Sequence, residues 1–274
     1  MQPLNFCRSL RKQWTPFLRE KTWRFNLPRE IVSHYVDLAG NSQKFMLPDG
    51  GIPIEDADFR ALDASIPIRL PFPMIALEFE YSDTSRVERG KLAATRRIVF
   101  ARERDDSIAI SPAYRSDANG LWTMMPEASI PLTGYLRRDG RTPDGFPGLV
   151  LATSPMLGKL GIGVDEYIDE IRALLGTLNA LACANVTTER VAPKRAHLAM
   201  RPSFQFDTYH VLVVKQRDSV RSSVSEFVED RRSPREHLRR GHIRRHQSGL
   251  RLWINATVVN AGVGGKVSKD YAVR

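Results

Sequence analysis

Cysteine is nearly absent: Cys7 and Cys183 are the only two in 274 residues. Two thiols so far apart cannot make a four-ligand metal site by themselves, and they read as reduced thiols of a cytosolic protein rather than a disulfide pair. Long apolar runs are missing too. None approaches the about 20 residues needed to cross a bilayer. The opening MQPLNFCRSLRKQWTPF lacks the continuous apolar stretch of a secretory signal. A soluble protein of the cytoplasm, with no membrane partner, is therefore expected. In that setting Asn185-Val-Thr187 and Asn255-Ala-Thr257, which match the glycosylation pattern, carry no meaning. No phosphate-binding loop is present, because Gly158-Lys159 runs into Leu160 and no glycine lies five residues before Gly158. Nucleophile elbows, Cys/His pairs of defined spacing and dinucleotide fingerprints are absent as well, and no cofactor is expected. Internal repeats and low-complexity tracts are lacking.

Lysine is missing where positive charge is densest. Residues 231–251 read RRSPREHLRRGHIRRHQSGLR: eight arginines against one acid, Glu236. That is a surplus of seven out of a formal chain charge of +10. An all-arginine cluster suits recognition by a planar donor fork, and the partner it points to is a polyanion, RNA or DNA. The plainer alternative is a solvated basic surface.

What the chain does contain is globular. A hydrophobic content of 42% with 26% charge argues against wholesale disorder, and 17 prolines with 18 glycines imply many turns rather than a helical bundle. Residues 1–65 read as a helical and irregular N-terminal region. It holds a basic amphipathic stretch from Phe6 to Phe17 and a helix opening at Pro28, with Asp49-Gly-Gly51 as a turn. From 66 to 215 the pattern becomes an α+β core. Ile75, Leu77, Phe79 and Tyr81 alternate with Ala76, Glu78 and Glu80 as in a half-buried strand. Arg97–Glu103, Ser107–Tyr114 and Gly120–Met125 read as further antiparallel strands, and Arg137–Gly148 as a loop. Val164–Cys183 reads as the clearest helix, with Asp165, Glu166, Asp169 and Glu170 in an acidic start that needs only a structural explanation. Val191–Gln205 is an irregular basic connection, and Tyr209–Lys215 a strand buried on both faces. Residues 216–232 read as a mobile linker, 233–260 as a basic helix-hairpin module and 261–274 as a tail. The fold class expected is α+β, a mostly antiparallel sheet from 66–135 and 207–259 with the 164–183 helix on one face.

In the basic module, Ser233-Pro-Arg-Glu236 fits a capping box. It should open a short helix carrying His237, Arg239 and Arg240 and stopping at Gly241. His242–Gln247 and Leu250–Asn255 then read as a hairpin with a two-residue Ser248-Gly249 turn, which sets Gln247 opposite Leu250, Arg245 opposite Leu252 and Ile243 opposite Ile254. In that register His242, Arg244, His246, Arg251, Trp253 and Asn255 share a face. Arginines there pair with phosphates, Trp253 stacks on an unpaired base and Asn255 reads base edges; Arg239, Arg240 and Arg245 add charge. His237, His242 and His246 are also the candidates for general acid and base in a metal-independent ribonuclease, or else they only contact phosphate. Zinc fits them poorly: cationic neighbours repel a metal ion, no cysteine is near, and the spacing is not a ligand spacing. Glu78 and Glu80 are on one strand face and can hold a metal or meet an arginine, though a solvated face explains them more simply.

Three stretches resemble a phage- and plasmid-borne family that includes a type V-A anti-CRISPR inhibitor, one that lowers its target nuclease by promoting loss of the mRNA during translation. They are His237–Arg245 with Ser248-Gly249 and Trp253-Ile-Asn-Ala-Thr-Val-Val259; Leu70–Phe79; and Leu175–Val186. The likeness covers roughly residues 66–260 and implies a mobile-element origin, a bacterial host cell, and mRNA, ribosome and nascent polypeptide as partners. The functions to weigh are therefore an RNA-binding regulator or anti-defence protein, a ribonuclease using His242 with His237 or His246, and a protein–protein inhibitor docking an acidic host protein.

Overall fold

Ile75, Leu77 and Phe79 point to one side of their strand and Ala76 and Glu78 to the other, and all five are buried. A strand buried on both faces needs a layer on each side of its sheet, and the fold supplies both. The structure, a computed structural model, describes residues 3–25, 27–53, 69–82, 94–105, 107–131, 152–153, 167–192, 207–215, 237–239, 242–254 and 257–259. The expected loop at 137–148 and linker at 216–232 lie outside these.

Within them the chain forms α1 (Phe6–Leu18), α2 (Arg29–Asn41), β1 (Gln43–Met46), β2 (Met74–Glu80), β3 (Arg96–Glu103), β4 (Ser107–Arg115), β5 (Trp122–Met124), β6 (Ala128–Pro131), β7 (Ala152–Thr153), α3 (Ile168–Leu181), β8 (Val186–Val191) and β9 (Tyr209–Val214). Nine strands join one sheet in the order β7-β6-β4-β3-β2-β1-β9-β8, with β5 pairing the end of β4. The sheet is mixed and mostly antiparallel, so the fold is α+β; β1 alone runs parallel to both its neighbours, β2 and β9. Three features differ from the expectation. The region before residue 66 contributes a strand, β1, to the middle of the sheet. Val186–Val191, expected to lie outside any strand, pairs with β9. β9 is buried only at Tyr209 and His210 and half-buried beyond, because β8 has an exposed outer stretch over Thr188–Arg190.

The two faces have separate cores. Against α3 pack Phe45, Ile75, Leu77, Phe79, Val99, Ile108 and Ile110. Against α1 and α2 pack Ala76, Ile98, Phe100, Ala113 and Trp122, met by Phe6, Leu10, Trp14, Val32, Tyr35 and Leu38. The helical residues recur at three- and four-residue spacing, which is why these segments coil and which stripe they bury. β2 is thus not half-buried as its alternation suggests, because α1 and α2 cover the face that carries Glu78.

Glu78 is 0% exposed, and its carboxylate is fully engaged. The Phe6 N–H donates to Oε2 and the Cys7 N–H to Oε1, both at 2.8 Å. The Tyr209 hydroxyl reaches the two oxygens at 2.9 and 3.1 Å. Neither a metal nor solvent explains this residue; it caps a helix. α1 has no side-chain cap of its own, and Asn5 before it sits at φ 58°. The carboxylate satisfies backbone donors that every helix start leaves open, and its charge suits the dipole. Glu80 beyond it is half-buried and lies 3.7 Å from Arg96.

Burial pushes the Glu78 carboxyl above its ordinary value, against the pull of the Cys7 and Phe6 amides. An acid whose folded pKa is raised stabilises the fold fully below its unfolded pKa, and that stability is lost as pH rises through the folded value. Glu78→Ala should cost about 2–5 kcal/mol in urea unfolding, since it strands buried donors and opens a void. The gap between wild type and variant should be widest near pH 4 and narrow towards neutrality. A gap that widens with rising pH would contradict the assignment.

Candidate functional site

The basic module is a set of strands. β10 (His237–Arg239) pairs antiparallel with β13 (Thr257–Val259), and β11 (His242–Arg245) with β12 (Arg251–Ile254). Both ladders are centred on Ser248: His242 meets Ile254 and, farther out, His237 meets Val259. The short helix expected at 237–240 is therefore not formed over His237–Arg239. A lone turn of helix has little cooperativity, whereas Thr257-Val-Val259 offers a β-branched strand to pair with.

The turn also differs. The His246 N–H donates to the Leu250 carbonyl and the Gly249 N–H to the His246 carbonyl, both at 2.9 Å, leaving Gln247, Ser248 and Gly249 as a three-residue loop. Gly249 has φ 81°, the left-handed residue that closes such a loop. The sequence signal for Gly249 was sound, but one more residue belongs to the turn. The pairing is accordingly shifted by one: Ile243 faces Trp253, Arg244 faces Leu252 and Arg245 faces Arg251.

A one-position shift regroups the candidates. Positions 242 and 244 share a face with 252 and 254, while 243 and 245 share the other with 251 and 253. The expected grouping of His242, Arg244 and His246 with Arg251 and Trp253 is split between faces; Arg240 and Asn255 lie outside the described residues. On the register, positions 245, 251 and 253 fall together instead. Arg244 is exposed, as is the tip from Gln247 to Leu250. His246 is half-buried, with no hydrogen-bond partner at Nε2. His242 and His246 stand four positions apart along the strand, about 13 Å, which does not bracket a single phosphorus.

The hairpin is anchored to the core through β12. The Ala184 N–H, in the turn after α3, donates to the Arg251 carbonyl at 2.9 Å. Burial raises the neighbouring Cys183 thiol to about 11, with Arg251 pulling the other way. Both cysteines are free and buried, and burial likewise pushes Cys7 up, with Glu78 adding to the rise. Neither is set up as a nucleophile.

Two further clusters were invisible in the sequence because their members are far apart in it. Arg97 is 6% exposed; its guanidinium lies 5.1 Å from the Tyr81 ring and 5.0 Å from that of Tyr114. It bonds the buried Glu170 and lies 3.4 Å from Asp169. The acidic start of α3 is thus a docking contact. On the surface, Glu127 gathers Arg104, Arg102 at 3.5 Å and His34 at 3.8 Å. The nearby His34 imidazole holds the Glu127 carboxyl below its usual range against burial, with Arg104 and Arg102 assisting. Among the described residues no group of three or more His, Cys, Asp and Glu is placed to hold a metal ion.

Nothing lies within 4 Å of a Cβ built on Gly249, so a substitution there meets only backbone strain. Gly249→Val should cost about 1–3 kcal/mol locally. Amide exchange of β11 and β12 should quicken while that of β2 and β3 is unchanged, and Gly249→Asn should be milder because Asn tolerates the left-handed region. Exchange rates equal in the Val and Asn variants would refute the role of φ. Comparison of the chain with protein-family models, curated proteins and solved structures finds no match.

Proposed function

We propose that this protein is an RNA-binding regulator whose C-terminal hairpin contacts the phosphate backbone. The carrying observation is the concentration of arginine on the hairpin, where the register sets Arg245 directly opposite Arg251 with position 253 on the same face. The planar fork of arginine forms charge-assisted bonds with phosphate. In this reading Trp253, two positions along β12 from Arg251, is the stacking partner for an unpaired base.

The resemblance of 237–259, 70–79 and 175–186 to the phage- and plasmid-borne family supports a finer reading. In it the regulator is an anti-defence protein of a mobile element that acts on translating mRNA in the bacterial cytoplasm, beside the ribosome and nascent chain. Among the described residues no helix is long and apolar enough to cross a membrane. The spacing of His242 and His246 gives the ribonuclease alternative no support.

Affinity for a single-stranded RNA should fall steeply with salt, about 0.7 log units per log unit of salt for each phosphate neutralised. Arg245→Ala should lower that slope by about 0.7. Binding indifferent to salt would defeat the reading, and salt-insensitive capture of an acidic host protein would replace it with the inhibitor reading.

A further inference from the structure

We infer that the outer face of α1 and the loop after it form a second contact surface for the phosphate backbone of the same RNA strand; this rests on the reading of the protein as RNA-binding. Residues 3–25 hold six cations, Arg8, Arg11, Lys12, Arg19, Lys21 and Arg24, against one acid, Glu20. Arg11, Lys12, Arg19, Lys21 and Arg24 are all exposed. Glu20 is answered by Arg24 at 3.2 Å, so the surplus is not neutralised within the segment.

The arrangement runs against what a merely solvated helix prefers. Glu78 of the sheet answers the start of α1, but farther along the helix Arg11 and Lys12 are exposed and none of its 13 residues is an acid, so nothing on the helix itself offsets their like charges. Solvated helices relieve such repulsion by interleaving acids. This face has none, so an external polyanion is the group that completes it.

The loop that carries the remaining cations is rigid. Phe25 stacks edge-on against Trp14 at 5.2 Å, Phe17 at 4.8 Å and Trp23 at 5.1 Å. The Trp23 Nε1–H donates to the Leu27 carbonyl at 2.6 Å, and Arg29 donates to the Leu18 carbonyl at 2.7 Å and to that of Glu20. Arg29 is thus a staple, and Arg19, Lys21 and Arg24 are displayed from a fixed loop. Half-buried Trp23 beside them supplies an aromatic surface, and interleaved cations and aromatics are what unpaired strands bind. A bilayer fits less well. Phe6, Leu10 and Trp14 are buried against the sheet, which leaves α1 no free apolar stripe to insert. Of the exposed large hydrophobic residues among those described, Leu250 is at the hairpin tip, and Leu121, next to the Trp122 that bonds Gln13 of α1, is a single side chain and not a stripe.

The full chain is titrated with a fluorescent oligouridylate by anisotropy across a salt series. Two variants accompany wild type: Lys12→Gln/Arg19→Gln/Lys21→Gln/Arg24→Gln on this face, and Arg245→Gln on the hairpin. The quadruple variant should melt at the wild-type temperature, because all four side chains are exposed, and should lower the salt slope by about 2.8. If it does not fold, Lys12→Gln/Lys21→Gln should lower the slope by about 1.4. A slope unchanged here but reduced in the hairpin variant overturns this inference and leaves the RNA reading intact. Loss here with an unchanged hairpin variant supports this surface and removes the hairpin from the reading. Binding of wild type to phosphatidylserine vesicles but not to RNA overturns both.

Discussion

One buried carboxylate holds three distant parts of the chain together. Glu78 stands on the central strand β2, accepts the first amides of α1, and takes the hydroxyl of Tyr209 from β9. An ionised carboxylate away from water is costly unless its lone pairs are filled, and here two backbone donors and a phenol fill them. The geometry is consequently exacting. α1 must begin over β2 and lie with Phe6, Leu10 and Trp14 inward, which leaves Arg11 and Lys12 outward. β9 must lie within reach of the same group, although β1 is placed between it and β2. Lys44 of β1 is buried alongside, bonding the Ser42 carbonyl at 3.1 Å and facing Asp207 at 3.3 Å. The buried charge is tolerated in the middle of the sheet because Lys44, the one charged residue of β1, has these partners.

The other face of the sheet is governed by an ion pair of opposite construction. There the cation, Arg97, comes from the sheet and the carboxylates, Glu170 and Asp169, from the helix. Tyr81 and Tyr114 flank the guanidinium, so its faces meet rings while its edges meet oxygens. Removing either partner of such a pair leaves a buried charge uncompensated, which costs more than the pair itself contributes. Its consequence reaches the hairpin. Arg97 seats α3, α3 ends at Leu181, and the turn that follows presents the Ala184 N–H to β12. The basic module is held where it is by a contact chain that begins in the core.

Local pattern carried much of this architecture and stopped where partners are distant. Phe6–Phe17 and the helix after Pro28 were readable from apolar spacing, and β2 to β5 from alternation and their Asp/Gly turns. β1 was not readable: Gln43-Lys-Phe-Met46 has neither alternation nor β-branched residues, and it is a strand because β2 and β9 flank it. Glu78 looked like a solvated position, since nothing in its neighbourhood announces a helix start 72 residues away. The same limit applies to Arg97 with Glu170. In the module, the arginine cluster was plain from composition alone. The capping box at Ser233 was a local preference that strand pairing overrode at His237–Arg239.

The hairpin shows how little separates a right motif from a right face. The Gly249 conformation, the turn position and the two strand segments follow from sequence, yet the face does not, because loops of two and three residues differ by one in register. With two residues in the loop, Trp253 stands across from Arg244; with three, it stands across from Ile243, and Arg245 meets Arg251. The second arrangement sets two arginine positions directly opposite one another, which a ladder has reason to avoid. A chain selected for stability alone would place an acid at one of the two positions, as β2 and β3 do with Glu80 opposite Arg96. Loop length, not composition, therefore decides which positions of this hairpin share a face, and a change of one residue regroups them all.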